Sequence, residues 1–262
     1  MDMIFAGGRD QAQSPFFKML NEDVRRLIYL ELCGGRYLHI KFRRTSPWFR
    51  QQGHPAGRRP GWRHSVCPRN DTEPRHQVAS VFHRWCFLST SLLRTCKRAA
   101  EEGLPMLYGT NSLEFDSSSD LLHFKAQFEP CFKLIKHLDI ILSVVRVSIE
   151  PGYSFREFDT LLHVMTGYGH RSSINLRIRM SDSIVWFHHT PITTFLKKIK
   201  GLRIKSEIFL PSDLKAVAEE LRTEAEYLTF NIHSAWDFSL HHIIASDYEN
   251  YSDGGFDSNE SD

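Results

Sequence analysis

The chain has 262 residues, 41% of them apolar and 24% charged, with a formal net charge of +2 at pH 7. That length buries a sizeable core as one domain or two closely packed ones, and the composition is that of an ordinary globular protein. So small a net charge argues against a generic polyanion binder, although the charge is unevenly spread.

Residues 1–13 read as disordered. The block Ser14 to Leu32 then reads as a helix: Asn21 caps it, Glu22 and Asp23 suit its positive end, and Val24, Leu27, Ile28 and Leu32 form an apolar stripe. Gly34–Gly35 stops it, and Arg36 to Phe42 alternates as a strand. From Arg36 to His64 there are eight Lys/Arg and no Asp/Glu. Residues 43–73 are rich in Pro, Gly, Arg and His and read as a basic loop insertion, long for a loop inside a domain. A second helical block, Leu92 to Tyr108, carries Leu92, Leu93, Cys96, Ala99, Ala100 and Gly103 at helical spacing, with Pro105 expected to break or restart the last turn. Gly109–Thr110–Asn111 is a turn and Ser112 to Phe115 a short strand. Asp120 is placed to cap a further helix that Pro130 ends.

Ser-Pro-Phe-Phe before a helix with Arg25, Arg26, Ile28 and Tyr29, together with Leu-Leu-Arg-Thr-Cys and the later Leu-Pro-Met-Leu-Tyr-Gly-Thr-Asn, resembles a large fungal family of unknown function whose opening helix is F-box-like. The resemblance covers about residues 14–145 and includes the Gly34–Gly35–Arg36 turn and the His39–Ile40 strand. It implies no chemical role for either motif. Asn21 stands where a proline is usual in the family, and Ala99–Ala100 where a bulky apolar residue and a tyrosine are expected, which predicts thinner packing under the second helix.

In the second half Leu138–Asp139–Ile140, Leu176–Arg177–Ile178, Leu202–Arg203–Ile204 and Leu228–Thr229–Phe230 read as short strands, the last three spaced by 26 residues. Helices are expected at Phe155–Thr166 and Pro211–Ala225. The preferred fold class is α+β, an F-box-like N-terminal helix followed by helices on a small mixed sheet. A leucine-rich-repeat-like C-terminal half is the second reading, since the spacing falls in that range while the repeat signature is missing. The domain organisation is residues 14–145 as the F-box-like unit, 146–244 as an α/β part of the same or a closely packed domain, and 245–262 as a disordered tail. Asp247 to Asp262 holds six acidic residues and no basic one.

Candidate chemistry is thin. Cys67, His76, His83 and Cys86 form the one set with zinc-type ligands, but their spacing matches no common finger. The pairs His188–His189 and His241–His242 do not converge on one ion if they lie on strands, where neighbouring side chains face opposite ways. Cys96 falls on the apolar face of its helix, and no nucleophile elbow or phosphate-cradling glycine loop is present; His163, Tyr168 and His170 near Gly167 and Gly169 read as a helix-ending turn. No metal, no cofactor and no enzymatic activity are expected. Five cysteines, Cys33, Cys67, Cys86, Cys96 and Cys131, without a signal-peptide pattern at the start predict reduced thiols in the cytoplasm or nucleus. The longest apolar stretch, Leu138 to Ile149, contains Asp139 and Arg146 and is too short to span a bilayer, so no membrane partner is expected.

The function these residues imply is a non-enzymatic protein–protein interaction module. Its sharper form is an F-box-like helix that docks a ubiquitin-ligase adaptor through Leu27, Ile28 and Leu32. Burial of the same stripe in the protein's own core is the competing expectation. The alternative is nucleic-acid binding by an arm in which Arg43, Arg44, Arg50, Arg58, Arg59 and Arg63 interleave with Trp48 and Trp62, since guanidinium groups and aromatic faces are the elements of single-strand recognition.

Overall fold

The computed structural model describes residues 13–43, 61–68, 88–142, 156–167, 174–180, 189–202, 204–222 and 228–233. In chain order they form α1 (Pro15–Met19), α2 (Glu22–Cys33), β1 (Arg36–Arg43), β2 (Gly61–Pro68), a short 3-10 turn (Ser91–Arg94) and α3 (Lys97–Gly109). There follow β3 (Ser112–Phe115), α4 (Ser118–Gln127), α5 (Glu129–Phe132), β4 (His137–Leu142), α6 (Arg156–Thr166) and β5 (Asn175–Met180). The last elements are α7 (His189–Gly201), β6 (Lys205–Pro211), a 3-10 turn (Ser212–Leu214), α8 (Lys215–Arg222) and β7 (Leu228–His233).

The strands make one sheet in the order β2-β1-β3-β4-β5-β6-β7. Strand β2 is antiparallel to β1, and every other neighbouring pair is parallel. This is the expected α+β architecture. From β3 onward each strand is laid beside its predecessor in the same direction, and right-handed crossovers in one direction place their helices on one face. The apolar residues follow that geometry. Leu38, Leu113, Leu138, Leu176 and Leu228 lie in one register row and Ile40, Phe115, Ile140, Ile178, Ile208 and Phe230 in the next, all in a single core with Tyr29, Leu121, Leu161, Leu196 and Leu221 of the helices.

Several expectations need correction. Residues 61–68 are not loop: they form β2, with Val66 opposite Leu38 and buried, and Trp62 opposite Phe42. Pro105 does not break α3, which runs through it to Gly109. Cys96 is the N-cap of that helix, its Sγ accepting the Ala99 N–H at 3.4 Å. Ser117, not Asp120, caps α4, and Asp120 accepts the Phe42 N–H at 3.1 Å instead. Pro130 lies in the first turn of α5, where its missing N–H costs nothing. Leu202 and Ile204 are in no strand: β6 begins at Lys205 after α7, a helix not expected from the sequence, and Arg203 lies outside the described residues. Strands β4 to β7 therefore begin at His137, Asn175, Lys205 and Leu228, which is not a 26-residue repeat.

Ala99 and Ala100 do not thin the packing. Both are fully buried, and with Gly103 they let α2 approach so closely that Tyr29 is also fully buried. The chain turns from α2 into β1 through Gly35, whose φ of +64° is the left-handed region. A Cβ there would meet nothing within 4 Å, so Gly35→Ala carries backbone strain alone. We expect a loss of about 1–2 kcal/mol, read as a lowered midpoint in thermal unfolding.

Candidate functional site

The N-terminal helices are held by polar contacts as much as by apolar ones. Asn21 Oδ1 accepts the Val24 N–H at 2.9 Å and starts α2. The residues that α2 turns inward are Arg25, Tyr29 and Cys33, spaced i, i+4, i+8. Arg25 donates from Nε and Nη2 to the two oxygens of Glu102 at 2.7 and 2.8 Å, and from Nη1 to the Leu20 carbonyl at 2.6 Å. Burial works against the charge on Glu102, but hydrogen bonds from Arg25 and Arg98 hold its carboxyl below the ordinary range. The Arg25 and Arg98 guanidinium groups also lie 5.6 and 4.8 Å from the centre of the buried Phe17 ring. The Arg and Tyr of the first motif and the Phe of Ser-Pro-Phe-Phe are therefore spent on joining α1 and α2 to α3.

The second motif is structural in the same sense. Asn111 is fully buried, donates to the Cys33 and Leu107 carbonyls at 2.6 Å each, and accepts the Arg36 N–H at 2.6 Å. Thr110 Oγ1 accepts the Gly35 N–H at 3.2 Å.

With the inward face of α2 fixed in this way, its apolar stripe is displaced to the surface. Leu27 is 64% exposed, Val24 39% and Leu30 38%, and Met19 of α1 is 80% exposed. Ile28 and Leu32 are half-buried at the margin. Of the large exposed apolar side chains among the described residues, all but Ile232 belong to these two helices. Of the stripe Val24, Leu27, Ile28 and Leu32, the first two are thus exposed, Leu27 the more so, and the last two are half-buried.

The arm residues fare differently. Arg44, Trp48, Arg50, Arg58 and Arg59 lie outside the described residues, and Arg43 ends β1. Arg63 is exposed on β2 opposite Lys41. Trp62 is half-buried, its ring 5.1 Å from Phe42 and 5.4 Å from Phe124. These contacts join Trp62 to the protein's own aromatic core. His76, His83, Cys86, Tyr168, His170, His188, His241 and His242 lie outside the described residues; Cys67 is in β2 and His189 opens α7. Among the described residues no group of three or more His, Cys, Asp or Glu is placed to hold a metal, and no helix is long and apolar enough to cross a membrane. Cys33, Cys96 and Cys131 are free and buried, and burial lifts Cys33 to about 11.

The face of the sheet opposite the helices carries a second arrangement that the sequence reading passed over. His39, Glu114, Asp139, Arg177, Glu207 and Thr229 stand in one register row across six strands. Arg177 Nε donates to Glu207 at 2.9 Å and Asn231 to the same carboxylate at 2.7 Å. Arg179, on β5, reaches Tyr37, Glu114 and Asp139. The signal was present: the middle residue of Leu113–Glu114–Phe115, Leu138–Asp139–Ile140 and Leu176–Arg177–Ile178 is charged each time, and alternation puts those middles on one face.

A family described as a domain of unknown function, DUF7730, matches residues 9–225. The chain belongs to this family. The DUF7730 match takes in every element from α1 to α8 and stops short of β7. No curated protein and no solved structure matches the chain.

Proposed function

We propose that this DUF7730 protein is a non-enzymatic protein–protein interaction module of the cytoplasm or nucleus, in which α2 serves as an F-box-like helix that docks a ubiquitin-ligase adaptor while the α/β part presents a surface to another protein. The observation that carries the reading is the exposure of Leu27, Val24, Leu30 and Met19 on helices whose other side is anchored through Arg25, Tyr29 and Cys33. Apolar side chains grouped on a rigid surface mark interaction sites. Leu27 is the main docking residue, with Ile28 and Leu32 contributing from the margin. The family resemblance of the opening helix supplies the adaptor class.

The test uses the tagged full chain and purified adaptor. Leu27→Asp is expected to abolish capture, because it places a charge at the centre of an apolar contact, and to leave the thermal unfolding midpoint within about 1 °C, since a surface substitution changes stability little. Capture that survives both Leu27→Asp and Met19→Asp sinks the proposal.

Nucleic-acid binding through the basic arm is the second reading, supported by the exposed Lys41 and Arg63 that face each other across β1 and β2 at the arm's root. It is the weaker of the two because Trp62 packs on the core and Lys41 has Asp116 at 3.4 Å. Its signature is an affinity that falls steeply with added salt.

A further inference from the structure

Three oxygen-bearing side chains converge on the sheet face opposite the helices. Tyr37 Oη is 2.7 Å from Glu114 Oε2 and also in hydrogen-bond contact with Asp139 Oδ2. A phenol has one proton to donate and so satisfies only one of these two contacts. Arg179 Nη2 donates to Tyr37 Oη at 2.6 Å, which fills a lone pair and supplies nothing to the second contact. The second contact needs a proton on a carboxyl group.

The placement of charge decides which one. Glu114 is in contact with the Arg179 guanidinium and has His39 Nδ1 at 2.5 Å, partners that favour its ionised form. Among the described residues the cations near Asp139 are more distant, Arg177 at 3.5 Å and Arg179 at 3.7 Å, and its side chain is 5% exposed. We propose that Asp139 keeps its proton at neutral pH and that its hydrogen bond to Tyr37 is a pH-sensitive latch, tying β1 to β4 across the intervening β3.

Burial is the largest influence on Asp139 and pushes its pKa up, opposed by Arg177 and by the Tyr37 hydrogen bond and reinforced by Glu207. The titratable and charged groups of the described residues that face the latch are His39 on β1, Glu114 on β3, Arg177 and Arg179 on β5 and Glu207 on β6. An acid whose folded pKa lies above its unfolded value contributes stability that is complete below the unfolded pKa and is lost as pH rises through the folded one. Both Tyr37 contacts are therefore made in mild acid, and one of them is lost as pH rises, when a single phenol proton faces two carboxylates. The latch is independent of the docking face on α2.

The experiment titrates the full chain, labelled with carbon-13 at the aspartate carboxyl, and follows urea denaturation over the same pH range. One aspartate resonance is expected to remain in the protonated position at pH 7 and to be missing from Asp139→Asn. That variant, which mimics the protonated acid in shape, is expected to match the wild-type denaturation midpoint in mild acid, to exceed it at pH 7, and to lose its downward shift with rising pH. Glu114→Gln, which removes an ionised partner of Arg179, is expected to lower the midpoint throughout. Aspartates that are all ionised at pH 7, or a pH slope unchanged in Asp139→Asn, overturn the proposal; should that variant not fold, the wild-type titration alone decides.

Discussion

Replacing Asn111 with alanine is expected to destabilise the protein by about 2–4 kcal/mol, far more than the loss of one side-chain contact. The reason lies in what one amide joins. Its two N–H donors close the last carbonyls of α2 and α3, at Cys33 and Leu107, and its oxygen receives the first N–H of β1 at Arg36. Each of those backbone groups is left without a partner in the alanine variant, and a buried polar group without one costs about 1–3 kcal/mol. Asn111→Asp is expected to be no better, because a carboxylate turns two donors into acceptors facing two carbonyls. Urea denaturation of the full chain measures the change, and a loss under about 1 kcal/mol for Asn111→Ala would show that water replaces the amide and that the junction is not as closed as its burial implies.

The parts of this fold that were legible in sequence are those fixed by neighbours in the chain. Asn21 announces α2, Gly34–Gly35 its end, and the alternation of Leu113–Glu114–Phe115 its strand, because capping, left-handed backbone and side-chain parity are all local. The face that α2 buries is not local. Hydropathy ranks Val24, Leu27, Ile28 and Leu32 above Arg25, yet Arg25 goes inside because Glu102, on another helix, accepts two hydrogen bonds from its guanidinium. No pattern within residues 21–33 contains that information. Strand β2 was hidden for a related reason: of Trp62, His64 and Val66, which share one face, only Val66 is aliphatic and buried while His64 is exposed, and its place is set by pairing with β1.

The charged row shows the opposite case, in which the letters were noticed and their meaning was not. Asp139 reads as an interruption of an apolar stretch and Arg177 as the middle of a short strand, and only the in-register pairing of β1, β3, β4, β5 and β6 makes them neighbours. The false strand at Leu202–Arg203–Ile204 had the same apolar-charged-apolar form as the true ones. What separates it is the turn of chain after α7, which delivers Ser206–Glu207–Ile208 to the sheet instead. Sequence names Leu27 together with Ile28 and Leu32, and only the inward face of the helix separates the exposed Leu27 from the half-buried other two.

Tyr29 joins these strands of argument and gives the sharpest paired test. It is fully buried, its ring rests 5.9 Å from that of Phe16, and a Cβ at Gly103 would fall 3.0 Å from its Cδ1 and closer still to Leu93. Its hydroxyl, however, has no hydrogen-bond partner among the described residues, and burial lifts its pKa to about 12, with the Glu102 carboxylate adding to the effect. The ring and the hydroxyl therefore act in opposite directions on stability. Tyr29→Ala removes a large buried ring from between α2 and α3 and is expected to cost about 3–5 kcal/mol. Tyr29→Phe keeps the ring and removes an unsatisfied oxygen, so it is expected to be neutral or to gain about 1 kcal/mol. Equilibrium denaturation of the two variants reads both signs. A Phe variant that loses more than about 1 kcal/mol would mean that the hydroxyl is hydrogen-bonded, and that Tyr29 holds the helix pair by a polar contact as well as by its shape. Since α2 presents Leu27 outward only because Tyr29 and Arg25 are held inward, Tyr29→Ala is also expected to weaken adaptor capture, and Tyr29→Phe to leave it intact.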